Sequence, residues 1–145
     1  MTTILLIEDN PTDILLIQRA FRNMNLPNVS LVVVKDGDTA VLYLSGSNEY
    51  ADRYRFPLPA IILLDLKLPR RSGHEILAWL RQESELRYLP VVILTSSREK
   101  IDVNQAYELG VNSYLIKPVK LNDFSHMMHT FSQYWLDFNI SPNNV

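Results

Sequence analysis

The chain has 145 residues, 47% of them apolar, which suits one compact domain that buries about two-thirds of its unfolded surface and leaves no room for a second. With 14 basic against 16 acidic residues, a net charge of −2 and a pI near 5.9, no basic excess is available to neutralise nucleic-acid phosphates. The absence of cysteine excludes disulfides and thiolate metal sites.

The opening MTTILLIEDN lacks the basic start of a signal peptide, and Glu8 and Asp9 end its apolar run. No uncharged apolar stretch approaches the ~20 residues of a membrane span. The expectation is a cytoplasmic protein with neither membrane nor nucleic acid as partner.

In chain order, residues 3–7 predict a first strand. A helix follows, with Asn10 as N-cap, Pro11 at its first position, Asp13 as an acid in its first turn, and Ile14, Ile17, Phe21 and Met24 as its apolar stripe. Residues 29–34 predict a second strand and 39–44 a second helix. GSNEYADRYRFPLP, residues 46–59, is a long irregular connection to a third strand at 60–64. A third helix is predicted over 74–83, with Ile76, Leu77 and Leu80 inward. Residues 91–94 form the fourth strand, and 99–109 a fourth helix that Gly110 ends as a left-handed cap. A fifth strand at 113–116 precedes a fifth helix, in which Leu121, Phe124, Met128, Phe131, Trp135 and Phe138 recur at spacings of three or four.

The strands are short, continuous runs of Val, Ile and Leu, as in a parallel sheet buried on both faces. Five strand–helix repeats imply a doubly wound α/β fold with right-handed crossovers. In such sheets ligands bind beyond the carboxyl ends of the strands, where the strand order reverses. In the common order 2-1-3-4-5 the first and third strands are neighbours. Glu8 and Asp9 end the first and Asp65 ends the third, so three carboxylates converge on one crevice.

At about 5 Å and an effective dielectric of about 20, each ionised pair costs roughly 3 kcal/mol, so something must offset the repulsion. Mg²⁺ fits, because it takes one or two carboxylates, a carbonyl, waters and a phosphoryl oxygen. Thr95 closes VVILT with a hydroxyl, and Lys117 closes SYLIK with an ammonium. Such groups stabilise an oxyanion-rich substituent, which makes Asp65 a candidate nucleophile that forms an aspartyl phosphate.

IEDN, DLKLPRRSG, LTSS and YLIKP, in that order along nearly the whole chain, resemble the receiver domain of two-component response regulators. The resemblance implies the flavodoxin-like fold, with Asp65 as phosphoacceptor and Glu8, Asp9, Asp65 and the backbone carbonyl of Lys67 as the Mg²⁺ ligands. It implies that Thr95 moves towards the phosphoryl group, that the Tyr114 rotamer follows, and that Lys117 contacts the phosphoryl oxygens. It also implies a cis Lys117–Pro118 bond. The domain then catalyses only its own phosphorylation and a slow autodephosphorylation, and is otherwise not an enzyme.

Each residue has a plainer reading on its own. Asp65 could cap a helix, Glu8 and Asp9 could face a helix start, Thr95 could be a cap, Tyr114 a core aromatic, and Lys117-Pro118 a strand exit. Five at the right strand ends favour the joint reading. His74, His126 and His129 receive no role. Lys67 sets a long cation beside the acceptor, where it could screen the phosphoryl group or hinder water, so phosphate loss should change in Lys67→Ala. Small Ser96 leaves room for the incoming group.

Residues 1–145 thus predict a single receiver domain with an extension after about 138 and no output domain, so signalling must pass by binding. Tyr134, Trp135, Leu136 and Phe138 exceed what one core stripe accommodates, although Trp135 or Phe138 must pack inward. With the 46–59 connection, this ending resembles the stand-alone regulators that partner phytochrome-type sensor histidine kinases. It implies a homodimer through the face of the fourth helix, fifth strand and fifth helix. Two other classes compete. A Mg²⁺-dependent aspartyl-phosphate phosphohydrolase needs a second aspartate two residues after Asp65, where Lys67 stands. A phosphorylation-independent interaction module would ignore Asp65. A nucleotide-binding version lacks a glycine-rich cradle in EDNPTD.

Overall fold

The computed structural model describes residues 1–142. Five parallel strands, β1 (Thr2–Ile7), β2 (Val29–Val34), β3 (Ile61–Leu64), β4 (Val91–Thr95) and β5 (Ser113–Ile116), form one sheet in the order β2-β1-β3-β4-β5. Their side chains alternate between two apolar layers. Leu5, Ile7, Ile62, Leu64, Val91 and Ile93 face one, and Ile4, Leu6, Ile61, Leu63, Val92 and Leu94 the other. Burial on both sides is why these strands are continuous apolar runs rather than alternating ones.

The first layer is covered by α2 (Gly37–Ser45), α3 (Gly73–Gln82) and α4 (Lys100–Glu108), and the second by α1 (Pro11–Met24) and α5 (Leu121–Ser132). The α1 start is as expected: the Asn10 side chain accepts the Asp13 N–H at 3.1 Å, with Pro11 in the first turn. Gly110 follows α4 with φ +91°. Helix α2 begins two residues before the sequence expectation, because Asp36 accepts the Thr39 N–H at 2.7 Å and is the true N-cap. A capping box of Ser72 and Glu75 opens α3.

Two regions depart from the expected pattern. After α5 the chain widens into a π-turn, Gln133–Phe138, closed by the Asn139 N–H on the Tyr134 carbonyl at 2.7 Å. The wider turn breaks the 3.6-residue phase, so Phe138 is 75% exposed, while Trp135 and Leu136 pack against the core. Leu121, in the first turn of α5, also lies outside the stripe, at 62% exposed. Residues 143–145, the end of the expected extension, lie outside the described residues.

The 46–59 connection is packed around Arg53. Its guanidinium donates to the carbonyls of Tyr43 at 2.8 Å, Leu44 at 2.7 Å and Phe56 at 3.2 Å, satisfying the open end of α2. Tyr43, Tyr50 and Phe56 pack as an aromatic cluster beside it.

Candidate functional site

Because β1, β3 and β5 are parallel, the residues that end them share one edge of the sheet. Glu8 leaves β1 with its N–H on the Val34 carbonyl, and Asp65 leaves β3 with its N–H on the Ile7 carbonyl. Gly73, at the start of α3, packs so tightly on the backbone of Asp65 and Leu66 that a Cβ there would collide with the Asp65 carbonyl oxygen. That close approach places the N-terminus of α3 behind Asp65.

Glu8, Asp9 and Asp65 each offer a carboxylate oxygen, all within 4.8 Å of one another. Glu8 and Asp65 are buried and Asp9 is exposed at the mouth. Lys117 closes the group from β5: its ammonium lies 2.8 Å from Glu8 Oε2, 2.8 Å from Asp65 Oδ2 and 2.8 Å from Asp13 Oδ2. The Lys67 N–H points to Asp65 Oδ1 at 3.3 Å, and the Lys67 side chain is exposed.

Charge in this crevice is unequally shared. Burial is the strongest influence on Glu8 and pushes its carboxyl up to about 7, against the hydrogen bonds from Lys117 and the Asn10 N–H. Burial would raise Asp65 too, but hydrogen bonds with Lys117 and Glu8, the Lys117 charge and the Thr95 hydroxyl together hold it below the usual carboxylate range. Burial would lower Lys117, yet its bonds to Asp13, Asp65 and Glu8 outweigh this and raise it above the usual lysine range. The cluster is therefore an oxygen-only donor set with one low-lying carboxylate, which suits a hard divalent cation.

The remaining predicted residues take their places. Thr95 ends β4, buried. Tyr114 is turned inward, and its hydroxyl donates to the Ser97 carbonyl at 3.0 Å, on the loop that follows Thr95. One expectation fails: the Lys117–Pro118 bond is trans, as are all peptide bonds among the described residues. Trans is the intrinsically favoured isomer, and in it Lys117 already reaches all three carboxylates.

Sequence reasoning missed two features. Asp13 is legible in the sequence only as a helix-start acid, yet it is a third anchor for Lys117 across 104 positions of sequence. The second is a chain of contacts behind Tyr114: Ser97 Oγ donates to Asp102 Oδ2, and the Asp102 carbonyl meets His74 Nε2 at 3.1 Å. His74 thereby ties α3 to α4, outside the crevice. His126 and His129 are exposed on α5.

Residues 4–129 match the family of the response regulator receiver domain. The chain belongs to that family. This receiver is 40% identical over 139 residues to the probable methanogenesis regulatory protein FilR2 of Methanothrix harundinacea, covering 96% of this chain and 86% of that one. It is 38% identical over 134 residues to the response regulator Rcp1 of Synechocystis, covering 92% and 88%. The crystal structure of the phosphorylated cyanobacterial phytochrome response regulator RcpA superposes with a TM-score of 0.90 at 37% identity, covering 97% of this chain and 98% of that one. The Mn²⁺-bound form of Rcp1 superposes with a TM-score of 0.89 at 37% identity, covering 98% and 99%.

The receiver is thus a response regulator of two-component signalling, a family whose partners are histidine kinases. A divalent-metal site is supported by its own acidic cluster together with that Mn²⁺-bound relative. Among the described residues, no helix is long and apolar enough to cross a membrane.

Proposed function

We propose that this receiver takes a phosphoryl group from a sensor histidine kinase onto Asp65 and passes the signal on by changing what it binds. The observation that carries this reading is the meeting of Glu8, Asp9 and Asp65 with the Lys117 ammonium at one edge of the sheet. Asp65 suits the acceptor role because it is buried yet held below the usual carboxylate range, so that it is ionised at neutral pH.

An Asp65 carboxylate oxygen attacks phosphorus, the P–N bond to the kinase imidazole breaks, and the imidazole leaves with the electron pair. Lys117 follows the charge: the side of its ammonium that faces Glu8 and Asp65 turns to the new phosphoryl oxygens. Thr95, one strand away, supplies a hydroxyl to the same oxygens. Mg²⁺ is the proposed cation, with Glu8, Asp9, Asp65 and the Lys67 carbonyl as its protein ligands. When bound, it neutralises negative charge on the carboxylates and phosphoryl oxygens.

Movement of Thr95 pulls on the loop that carries Ser97, the residue that receives the Tyr114 hydroxyl. Tyr114 therefore couples the acceptor to α4 and β5. The hydrogen bonds from Thr95 and Lys117 to the phosphoryl oxygens exist in one state only, and they supply the differential energy that a two-state switch needs.

The proposed setting is the cytoplasm, and residues 1–145 act as one receiver domain. The kinase proposed is of the phytochrome type, supported by the likeness to Rcp1 and RcpA. The proposed homodimer face is α4-β5-α5. Beside it runs an open groove of about 1070 Å³ lined by Leu115, Pro118, Met127, Phe131, Tyr134 and Ile140. That groove lies away from the acidic crevice and suits protein contact rather than chemistry.

The test is intact mass after incubation with acetyl phosphate and Mg²⁺. A single phosphoryl adduct, lost in Asp65→Asn and with chelator, is the expected result. A folded, cation-binding protein that takes no adduct would instead be a phosphorylation-independent interaction module.

A further inference from the structure

Asp13 has more to do than its position in the α1 first turn requires. A carboxylate there is favoured by the helix start alone, and that role needs no inward contact. Yet Asp13 Oδ2 lies 2.8 Å from Lys117 Nζ, with the Asp13 side chain 21% exposed and that of Lys117 only 8%. We infer that Asp13 is a positioning residue that keeps the Lys117 ammonium over the crevice when the metal ligands Glu8 and Asp65 are occupied. The inference rests on the reading of Glu8 and Asp65 as metal ligand and acceptor.

An ammonium has three N–H groups, and Lys117 has three carboxylates at 2.8 Å. Two of these, Glu8 and Asp65, belong to the convergent acidic cluster, and Asp13 does not. A cation that draws on Glu8 and Asp65 weakens both of their claims on Lys117. Asp13 keeps its claim, because its backbone is fixed by the Asn10 cap and by Pro11 in the same turn. The N–H that points to Asp65 and the charge shared with Glu8 are then released towards an incoming phosphoryl group, while the hydrogen bond to Asp13 stays anchored. Without Asp13, the loaded crevice would leave a long, flexible side chain free to swing into solvent.

The experiment is site-resolved acylation of lysine amines, followed by peptide mass spectrometry, on the full chain with and without saturating Mg²⁺. The variants are Asp13→Ala, Asp13→Asn and Asp13→Glu, and Lys35, Lys67, Lys100 and Lys120 are internal controls. With Mg²⁺, Lys117 is expected to react roughly tenfold faster in Asp13→Ala than in the wild type, the size of one charge-assisted hydrogen bond. In chelator the two should agree, because Glu8 and Asp65 still hold the amine. Asp13→Asn, which keeps the size and loses the charge, should resemble Asp13→Ala, and Asp13→Glu should restore protection.

Phosphorylation by acetyl phosphate should slow by a similar factor in Asp13→Ala, with cation affinity little changed. Equal Lys117 reactivity in the Mg²⁺-loaded wild type and variants would overturn the inference. So would a rise that is the same in chelator, which would reveal only a weakened helix. If the wild type accepts no phosphoryl group but Asp13→Ala still exposes Lys117 only when Mg²⁺ is present, the acceptor reading fails and the positioning role stands.

Discussion

Lys117 donates to Asp13 and Asp65 and pairs with Glu8, so its removal would leave Glu8 and Asp65 buried without a counter-charge. Breaking a buried ion pair from one side costs about 3 kcal/mol or more. Lys117→Met should therefore lose about that much unfolding free energy by urea titration at pH 8 in chelator, with part regained in Mg²⁺. A loss no larger than that of an exposed pair would contradict the description of the crevice. The pH dependence has a defined sign. Glu8 rises from 4.5 to about 7 on folding, so between those values the folded state holds a proton that the unfolded state has lost. In chelator, stability should fall as pH rises through that window, read as a lower thermal midpoint at pH 8 than at pH 5.5. Asp65 acts in the opposite sense, but its contribution is lost only as pH falls below 3.8 towards its depressed value, outside the Glu8 window. A midpoint that rises between pH 5.5 and pH 8 would contradict the raised carboxyl of Glu8.

At the scale of elements, the 46–59 connection depends on one side chain. Arg53 satisfies carbonyls of Tyr43 and Leu44 at the end of α2 and holds Phe56 near Tyr43 and Tyr50. Arg53→Ala should cost about 2 kcal/mol by urea unfolding, because it leaves the Leu44 and Phe56 carbonyls without their donor, whereas the Tyr43 carbonyl keeps the Gly46 N–H. A cost within a few tenths would show the connection to be held by its aromatics alone. Nothing in GSNEYADRYRFPLP reveals this clamp, because a guanidinium that caps a helix across a loop has no fixed spacing. By contrast, the strands are legible, since burial on both faces leaves an unbroken apolar run. The helix starts are partly legible: Asn10-Pro11 marks α1, whereas the expected start of α2 falls on Thr39, the residue that its true cap, Asp36, binds. The π-turn after α5 is not legible, because the same aromatics at the same spacing fit a continued α-helix, and only the Asn139–Tyr134 bond distinguishes the two.

For the whole molecule, the site is more legible than its wiring. Glu8, Asp9, Asp65, Thr95 and Lys117 each end a strand or follow one directly, and strand order alone brings strand ends together. Asp13 and the Ser97-Asp102-His74 chain lie on helices and loops, whose approach depends on packing that periodicity does not encode. The surface gives its own prediction. Tyr134 and Ile140 border the groove beside β5 and are 53% and 70% exposed. If that face pairs two copies, Tyr134→Glu with Ile140→Glu should shift sedimentation from dimer to monomer and leave phosphorylation of Asp65 intact. A wild type that is monomeric both before and after phosphorylation would remove the dimer. The central claim is the identity of the acceptor, and borohydride trapping tests it most directly. An acyl phosphate is reduced to an alcohol, so the phosphorylated chain should yield homoserine at position 65 alone by peptide mapping. The corresponding alcohol at Glu8, Asp9 or Asp13 instead, or a stable phosphate on Thr95, would contradict the assignment of Asp65 as acceptor.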